Sequence, residues 1–359
     1  VEHLSNEILV PPPPPKRATI HDVAKAANVS PATVSLVLHQ KGQLATVTRE
    51  RVLDAIKLLG YQRRRSEDPQ RRRRSMTYCM IVDDIGNPYF HEIYRGITDN
   101  IELSEAIVTL VSTGDSLDRQ TQILDGFVHS SIDGLVIVPA SGTKNEHLDA
   151  LCESNIPFLM VVRNIGFGSF DYIGGNPMLG MLMATEHLIG LGHRRIAFLG
   201  GYAANYAFNE RYAGFVSTMR KHALPVEENL IVSGGSSKAF GRKAAAEILR
   251  SDDPPTAFIG YNDLVAIGIM NAIHDTGLQP GKDIAVVGYD DIPEASEQPI
   301  PLTTVATPPY ELGKVIANAL GRIKDDVGHG PINITYPPHL VQRQSCGGHR
   351  LSAEKGQQK

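Results

Sequence analysis

The sequence predicts an α/β protein: a small N-terminal head of three helices containing a helix-turn-helix, followed by a larger body of parallel sheet with helices on both faces. Three observations carry that expectation. Two capped amphipathic helices separated by a tight turn open the folded part of the chain, short apolar strands alternate with amphipathic helices from residue 76 onward, and the charge changes sign between the two parts.

The head is read from TIHDVAKAANVSPATVSLVLHQKGQLATVTRERVLDAIKLLG, residues 19–60. Thr19 stands three residues before Asp22, a reciprocal capping pattern, so a first helix is expected from Ile20 on the apolar stripe Ile20, Val23, Ala24 and Ala27. Asn28 falls in the turn, where a positive φ is wanted and Asn is the least costly choice after Gly. Ser30 caps a second helix and Pro31 fits its first position, where a missing N–H costs nothing. Val34, Val37 and Leu38 then point inward, which leaves Ala32, Thr33, Ser35, Leu36 and His39 on or near the outer face. A third helix is expected from about Val47 to Leu59 on Val52, Ile56 and Leu59, ended by Gly60. In a helix-turn-helix the second helix enters the major groove of DNA. A plain three-helix bundle would share this capping and periodicity, so charge has to separate the two readings.

Charge favours DNA. Residues 1–75 hold 14 Lys and Arg against 7 Asp and Glu, including the clusters Arg63–Arg65 and Arg71–Arg74; the remainder holds 21 against 32, so the overall −4 conceals a basic head and an acidic body. Phosphate contacts supply most non-specific affinity for DNA, and such a split is expected of a DNA-binding unit joined to a separate domain.

Composition sets the remaining bounds. With 359 residues and 42% hydrophobic content the chain can bury more than one core. Cys79, Cys152 and Cys346 lie far apart without a CxxC, as expected of ordinary buried thiols in a reducing compartment. No apolar run approaches the ~20 residues that span a bilayer, and Ile8–Val10 is too short for a signal segment, so a cytoplasmic protein without a membrane partner is expected. Pro11–Pro15 should form a stiff spacer within a disordered leader, residues 1–18.

In the body, strands are expected at Cys79–Val82, Ile107–Val111, Leu135–Val138, Phe158–Val162, Ile196–Gly200, Leu230–Val232, Phe258–Gly260 and Ile284–Gly288, with helical periodicity between nearly every pair. Open parallel sheets bind ligands beyond the carboxyl ends of their strands. The loops at those ends are Asp83–Phe90, Gly200–Arg211, Gly260–Asp263 and Gly288–Asp291, carrying aromatics, amides, carboxylates and an arginine. That mixture suits a polyhydroxylated ligand, because charged and amide groups pair with hydroxyls while rings cover the apolar face of a sugar. Taken singly, each residue reads better as a cap or loop anchor than as a ligand contact, and Asn262-Asp263, just before a helix, reads equally well as an N-cap; only convergence on one side of the sheets favours a site.

Catalytic signatures are missing: there is no GxSxG, GxxxxGK[ST] or HExxH, and neither Gly174-Gly175 nor Gly200-Gly201 extends to a GxGxxG. His187 and His193, six apart around a glycine-rich turn, read as helix-end chemistry rather than as metal ligands. A binding protein with no cofactor is therefore expected, not an enzyme.

Several segments resemble the lactose-repressor and galactose-repressor family of bacterial transcription regulators. In the head these are TIHDVAKAANVSPATVS and TRERVLDAIKLLGY; in the body DIGNPYFHEIYRGI, HLIGLGHRRIAFLGG, NERYAGF, YNDLVAIGIMNAI, IAVVGYDDI, PLTTV and LVQRQS, so the likeness runs over about residues 18–346. The resemblance implies a helix-turn-helix head, residues 19–61, a hinge, 62–75, a two-lobed periplasmic-binding-protein-like body, 76–346, and a tail, 347–359. The lobes would be 76–162 with 308–335, and 163–307 with 336–346, the chain crossing near Val162, Asp291 and Val305. It further implies a homodimer whose heads read a pseudo-palindromic operator in double-stranded DNA while each body holds a small effector, a sugar, polyol or nucleoside, between its lobes. The tail has no leucine heptads, so a dimer is expected rather than a tetramer.

By motif, Ser30 and Thr33 would hold phosphates, Pro31, Ala32, Ser35 and Leu36 would face bases, and His39 would lie near the backbone; Thr19, Thr48, Arg63, Arg64 and Arg71 complete the expected DNA-contacting set. Leu36 stands where several members have an Arg, so apolar contact with a thymine methyl is expected there. In the cleft, Arg211 and Asp290 match the strongest effector positions, with Asn262, Asn205, Tyr89 and Phe90 beside them. Val162 replaces an Asp that often ends the lobe-crossing strand, and Ser236 replaces a frequent aromatic. The hinge departs further: Pro69 interrupts the usual short helix and Gln70 takes the place of its wedging Leu, so an extended hinge that inserts arginines into an A·T-rich minor groove, without a strong kink, is expected. The competing readings are a sugar-active enzyme or a sugar-binding protein fused to a helix-turn-helix.

Overall fold

The computed structural model describes residues 20–30, 33–34, 37, 46–59, 76–101, 106–128, 130, 132–154, 156–166, 170–325 and 332–347. The chain divides into two units, Val1–Arg74 and Ser75–Lys359.

In the first unit, helix α1 spans Ile20–Ala27 and α2 spans Thr46–Leu59, with Thr33, Val34 and Val37 helical between them. Asn28 takes φ 51°, the left-handed conformation that ends α1, and the Val29 N–H closes the turn on the Ala24 carbonyl at 3.0 Å. Ser30 Oγ accepts from the Thr33 N–H at 3.1 Å, which caps the next helix as its sequence demands. Val23, Ala24, Ala27, Val34, Val37, Val52 and Ala55 make the core, with Ile56 half-buried against it. The stripe of α2 thus runs through Ala55 more than through Ile56; the side chains of Leu38 and Leu59, and Gly60, lie outside the described residues.

The second unit contains two six-stranded sheets. The first is built from β1 Thr77–Val82, β2 Ile107–Ser112, β3 Gly134–Ile137, β4 Phe158–Val161, β5 Tyr172–Gly175 and β11 Asn333–Tyr336, all parallel, in the order β11-β5-β4-β3-β1-β2. The second takes β6 Ile196–Leu199, β7 Ile231–Val232, β8 Ala257–Gly260, β9 Ala285–Asp290, β10 Thr303–Ala306 and β12 His339–Val341 in the order β12-β10-β9-β8-β6-β7, antiparallel only at β12. The central strands are buried on both faces, which is why they read as continuous apolar runs.

Helices α3 Pro88–Asn100, α4 Leu117–Val128, α5 Asp149–Glu153 and α11 Pro309–Asp325 belong to the first lobe. Helices α6 Pro177–Gly190, α7 Tyr206–Lys221, α8 Lys238–Ile248, α9 Asp263–Asp275 and α10 Pro293–Glu297 belong to the second. The eight expected strands are all present.

The lobe boundaries need correction. β5 pairs with β4 and β11 in the first sheet, so the chain first crosses after Gly175 and not after Val162; residues 163–175 belong to lobe one. Asp291 is no crossing either, because β9 and β10 are neighbours in one sheet. The other two crossings fall between β10 and α11 and between β11 and β12. Val162 reverses the backbone at φ 64° and donates its N–H to the Ile173 carbonyl at 3.1 Å, so the segment it begins folds back onto the same sheet.

Candidate functional site

The carboxyl ends of the two sheets meet across one cleft, and the strand-end loops set its lining. After β1 the loop Asp83–Asn87 leads into α3, where Asn87 Oδ1 accepts from the Tyr89 N–H at 3.1 Å and Pro88 takes the first helical position. That cap turns Tyr89 and Phe90 into the cleft, edge to face with centroids 5.8 Å apart.

From the second lobe, α7 carries Arg211, only 6% exposed, which donates to the Tyr261 carbonyl and reaches Asp290 Oδ1 at 3.4 Å. Its guanidinium carbon lies 3.7 Å from the centroid of Tyr289 and 4.5 Å from that of Tyr261, two cation–π contacts on one buried group. Arg211 Nε is buried and has no partner among the described residues. Asp290 ends β9 at φ 113°, and Asp291 follows at φ 54°. Such backbone strain persists where surrounding structure over-determines it, commonly at ligand sites. Burial raises the Asp290 carboxyl to about 6, with Arg211 and the Asn87 amide opposing that shift.

Five of the six expected effector residues, Tyr89, Phe90, Arg211, Asn262 and Asp290, therefore line one cleft. Asn262 does two jobs: its Oδ1 caps α9 through the Val265 N–H at 2.9 Å, and its amide donates to the Ser236 carbonyl at 3.2 Å. Asn205 is not among the lining residues. It is buried as the cap of α7, accepting from the Ala207 N–H at 2.8 Å, and the neighbouring Ala207 faces the cleft instead.

On the lobe-one wall, sequence reasoning singled out the Asp83–Phe90 loop but missed Arg163. Arg163, directly after Val162, donates to Asp83 Oδ2 at 2.5 Å, to Asp115 Oδ1 at 2.7 Å and to the Pro139 carbonyl at 3.2 Å, tying the ends of β1, β2, β3 and β4 together. Burial alone would lower the Arg163 pKa, but Asp83 and Asp115 outweigh it and hold the group above its ordinary value. Asp83 shifts upward through burial, with Arg163 opposing. The available signal was a charged residue following an apolar strand, a position that turns inward only once the sheet order is known.

Among the described residues no group of three His, Cys, Asp or Glu side chains is placed to hold a metal, and no helix is long and apolar enough to cross a membrane. His187, in the last turn of α6, has Nε2 at 3.1 Å from Cys346 Sγ; Cys79 and Cys346 are buried, but Cys152, on the short helix α5, is exposed, against expectation. In the head, Ser30 and Thr33 form the cap, their hydroxyls 2.9 Å apart, and Thr48 is half-buried on α2. Thr19, Pro31, Ala32, Ser35, Leu36, His39, Arg63, Arg64, Arg71 and the hinge lie outside the described residues.

A helix-turn-helix head and a two-lobed body with a polar, aromatic-walled cleft define a class: a small-molecule-binding clamshell joined to a DNA-reading unit. Residues 19–64 match the bacterial regulatory proteins of the lacI family, and residues 185–346 match a periplasmic binding protein-like domain. The chain is 31% identical to the maltose regulon regulatory protein MalI of Escherichia coli (strain K12), over 91% of this chain and 98% of that protein. It is 32% identical to the HTH-type transcriptional repressor PurR of Aliivibrio salmonicida (strain LFI1238), over 93% and 100%. The fold is similar to that of the lac repressor dimer bound to operator and the anti-inducer ONPF, with TM-score 0.68 and 25% identity over 92% of this chain and 99% of the other. It is equally similar to the transcriptional regulator CelR in complex with cellobiose, with TM-score 0.69 and 26% identity over 92% and 100%. The chain belongs to the lacI family of bacterial regulatory proteins.

Proposed function

We propose that this protein is a cytoplasmic, homodimeric transcriptional repressor, not an enzyme, whose affinity for a pseudo-palindromic operator is set by a neutral sugar or related polyol bound between its lobes. The observation that carries the reading is Arg211: a buried guanidinium beside Tyr289, Tyr261 and Asp290 whose Nε has no partner among the described residues, which suits a hydroxyl-bearing ligand. Relatives named as a maltose regulon regulator and a cellobiose-bound regulator support the ligand class, and the operator-bound lac repressor supports the DNA partner. Ser30, Thr33, Thr48 and the basic hinge residues would grip phosphates, while Pro31, Ala32, Ser35 and Leu36 read bases.

For the effector to act at a distance it must prefer one lobe arrangement over the other, by roughly 1–3 kcal/mol in usual couplings. The test is a thermal-shift screen of sugars, polyols and nucleosides against the full chain, combined with binding to DNA fragments at two salt concentrations. A ligand at a hundred times its Kd adds about 2.7 kcal/mol to stability, a readily measured shift. DNA binding that ignores salt, or an unshifted melting curve across the whole screen, defeats this assignment.

A further inference from the structure

Resting on the cleft assignment above, we propose that Asp83 is a further effector-binding residue: its Oδ1 accepts a hydrogen bond from a ligand hydroxyl at the lobe-one wall, and Arg163 and Asp115 hold it in place to do so. Asp83 lines the cleft, is 5% exposed, and uses Oδ2 for Arg163 at 2.5 Å. Its Oδ1 is buried with no partner among the described residues. A carboxyl oxygen buried without a partner among the described residues is costly, so a group that enters the cleft and donates to it offsets part of that cost.

Arg211 Nε presents the complementary deficit from the other lobe, a buried donor without an acceptor among the described residues. An unpaired acceptor on one wall and an unpaired donor on the other match a ligand whose groups both donate and accept, which hydroxyls do. Charge narrows the class. Arg163 is matched by Asp83 and Asp115, and Arg211 by Asp290, so among the described residues that line the cleft no cation is left over for a phosphate or carboxylate. The ligand is neutral.

Asp83 also answers the departure at position 162, where the resemblance leads one to expect Asp and the chain has Val. The carboxylate comes here from the end of β1, two strands away from β4 in the sheet, and Val162 offers an apolar surface beside it. A different hydroxyl is therefore read. Arg163 is a positioning residue. Its second nitrogen holds Asp115, which in turn accepts from the Ser141 N–H at 2.9 Å and hydroxyl at 2.7 Å, so Asp83 cannot swing away without loosening three strand ends.

The experiment is calorimetric titration of the full chain with D-glucose, D-ribose, cellobiose and glucose 6-phosphate, then with the monodeoxy derivatives of whichever neutral sugar binds. Asp83→Asn should weaken that sugar about 10- to 100-fold, the worth of a charge-assisted hydrogen bond, while retaining salt-sensitive DNA binding and the wild-type circular dichroism. Removing one particular hydroxyl should weaken the wild type by a similar factor and leave Asp83→Asn no weaker still. Arg163→Lys should shrink the same hydroxyl's contribution. Asp83→Glu, which keeps the charge and moves the oxygen, should alter the order of preference among the sugars and serves if the Asn variant fails to fold.

Equal affinity in Asp83→Asn and wild type, while Arg211→Ala abolishes binding, overturns this proposal and leaves the cleft assignment standing. Penalties that stay additive for every hydroxyl, or a preference for glucose 6-phosphate over glucose, overturn it as well. If neither the four probes nor any compound of the wider thermal-shift screen binds the wild type, the cleft assignment fails and this inference with it.

Discussion

The guanidinium of Arg211 lies 3.7 Å from the ring centre of Tyr289, and the same side chain faces Asp290 across 3.4 Å. Stack and ion pair share one cation, so the two contacts stand or fall together. Arg211→Ala leaves Asp290 buried without its counter-charge, for which about 3–5 kcal/mol is the usual cost. Because burial already raises that carboxyl to about 6, the variant can take up a proton instead, so its loss of stability should be smaller at pH 5 than at pH 8. Arg211→Lys keeps the charge but neither the planar stack nor the fork, and should fall between Ala and wild type. Denaturant unfolding of the three proteins at the two pH values checks the order; equal stability of Lys and wild type would show that charge alone matters.

Helices α3 and α11 cross at a pair of glycines. A Cβ on Gly96 would collide with the Tyr310 carbonyl oxygen, and one on Gly313 with the Ile93 carbonyl oxygen, so only hydrogen fits at either side of the contact. Alanine at either position should cost about 1–3 kcal/mol through overpacking. The double variant should lose less than the sum, since the first substitution already separates the helices. A denaturation cycle over the four proteins reads this directly, and additive losses would mean that the glycines act separately.

Much of this fold was legible because its strands are buried on both faces and therefore stand out as apolar runs. The four missed strands lack that signature for different reasons. Tyr172–Gly175 is half glycine, Asn333–Tyr336 is an exposed, polar edge, Thr303–Ala306 buries threonines whose hydroxyls find partners, as Thr304 does on Asp263 at 2.5 Å, and His339–Val341 is only a three-residue edge. Missing Tyr172–Gly175 displaced the lobe boundary. In the cleft, residues within recognisable strand-end motifs were found, whereas Arg163 and Asp115 were not, because their pairing depends on which strands lie side by side.

In the head, the Ser30 hydroxyl caps the second helix through Thr33 N–H, and the same residue is expected to hold a phosphate. Ser30→Ala should destabilise the head by about 1 kcal/mol and also weaken DNA binding; Ser30→Asn keeps a capping oxygen and should restore stability but not the hydroxyl contact. Melting followed at the head's helices, alongside salt-dependent DNA titration, separates the two roles. Recovery of both properties in the Asn variant would leave the cap as the whole contribution of Ser30.

Asp290 gives the protein a pH dependence whose sign follows from its shift. Its carboxyl is raised from 3.8 to about 6 in the folded chain, so between those values the folded state binds a proton that the unfolded state has released. Stability from this group is therefore complete below about pH 4 and falls as pH rises to about 6, a loss of about 3 kcal/mol by linkage. Asp83 and Asp263, both raised by burial, act in the same direction, so the group must be isolated by substitution. Asp290→Asn, unfolded in parallel with wild type from pH 4 to 8, should show a shallower decline, from a lower starting stability because Arg211 loses its counter-charge. A bound sugar that donates a hydroxyl to Asp290 favours the ionised form, so wild-type affinity should rise through pH 6 with release of a proton, and this rise should be absent in Asp290→Asn. Affinity unchanged across that interval would place the ligand away from Asp290.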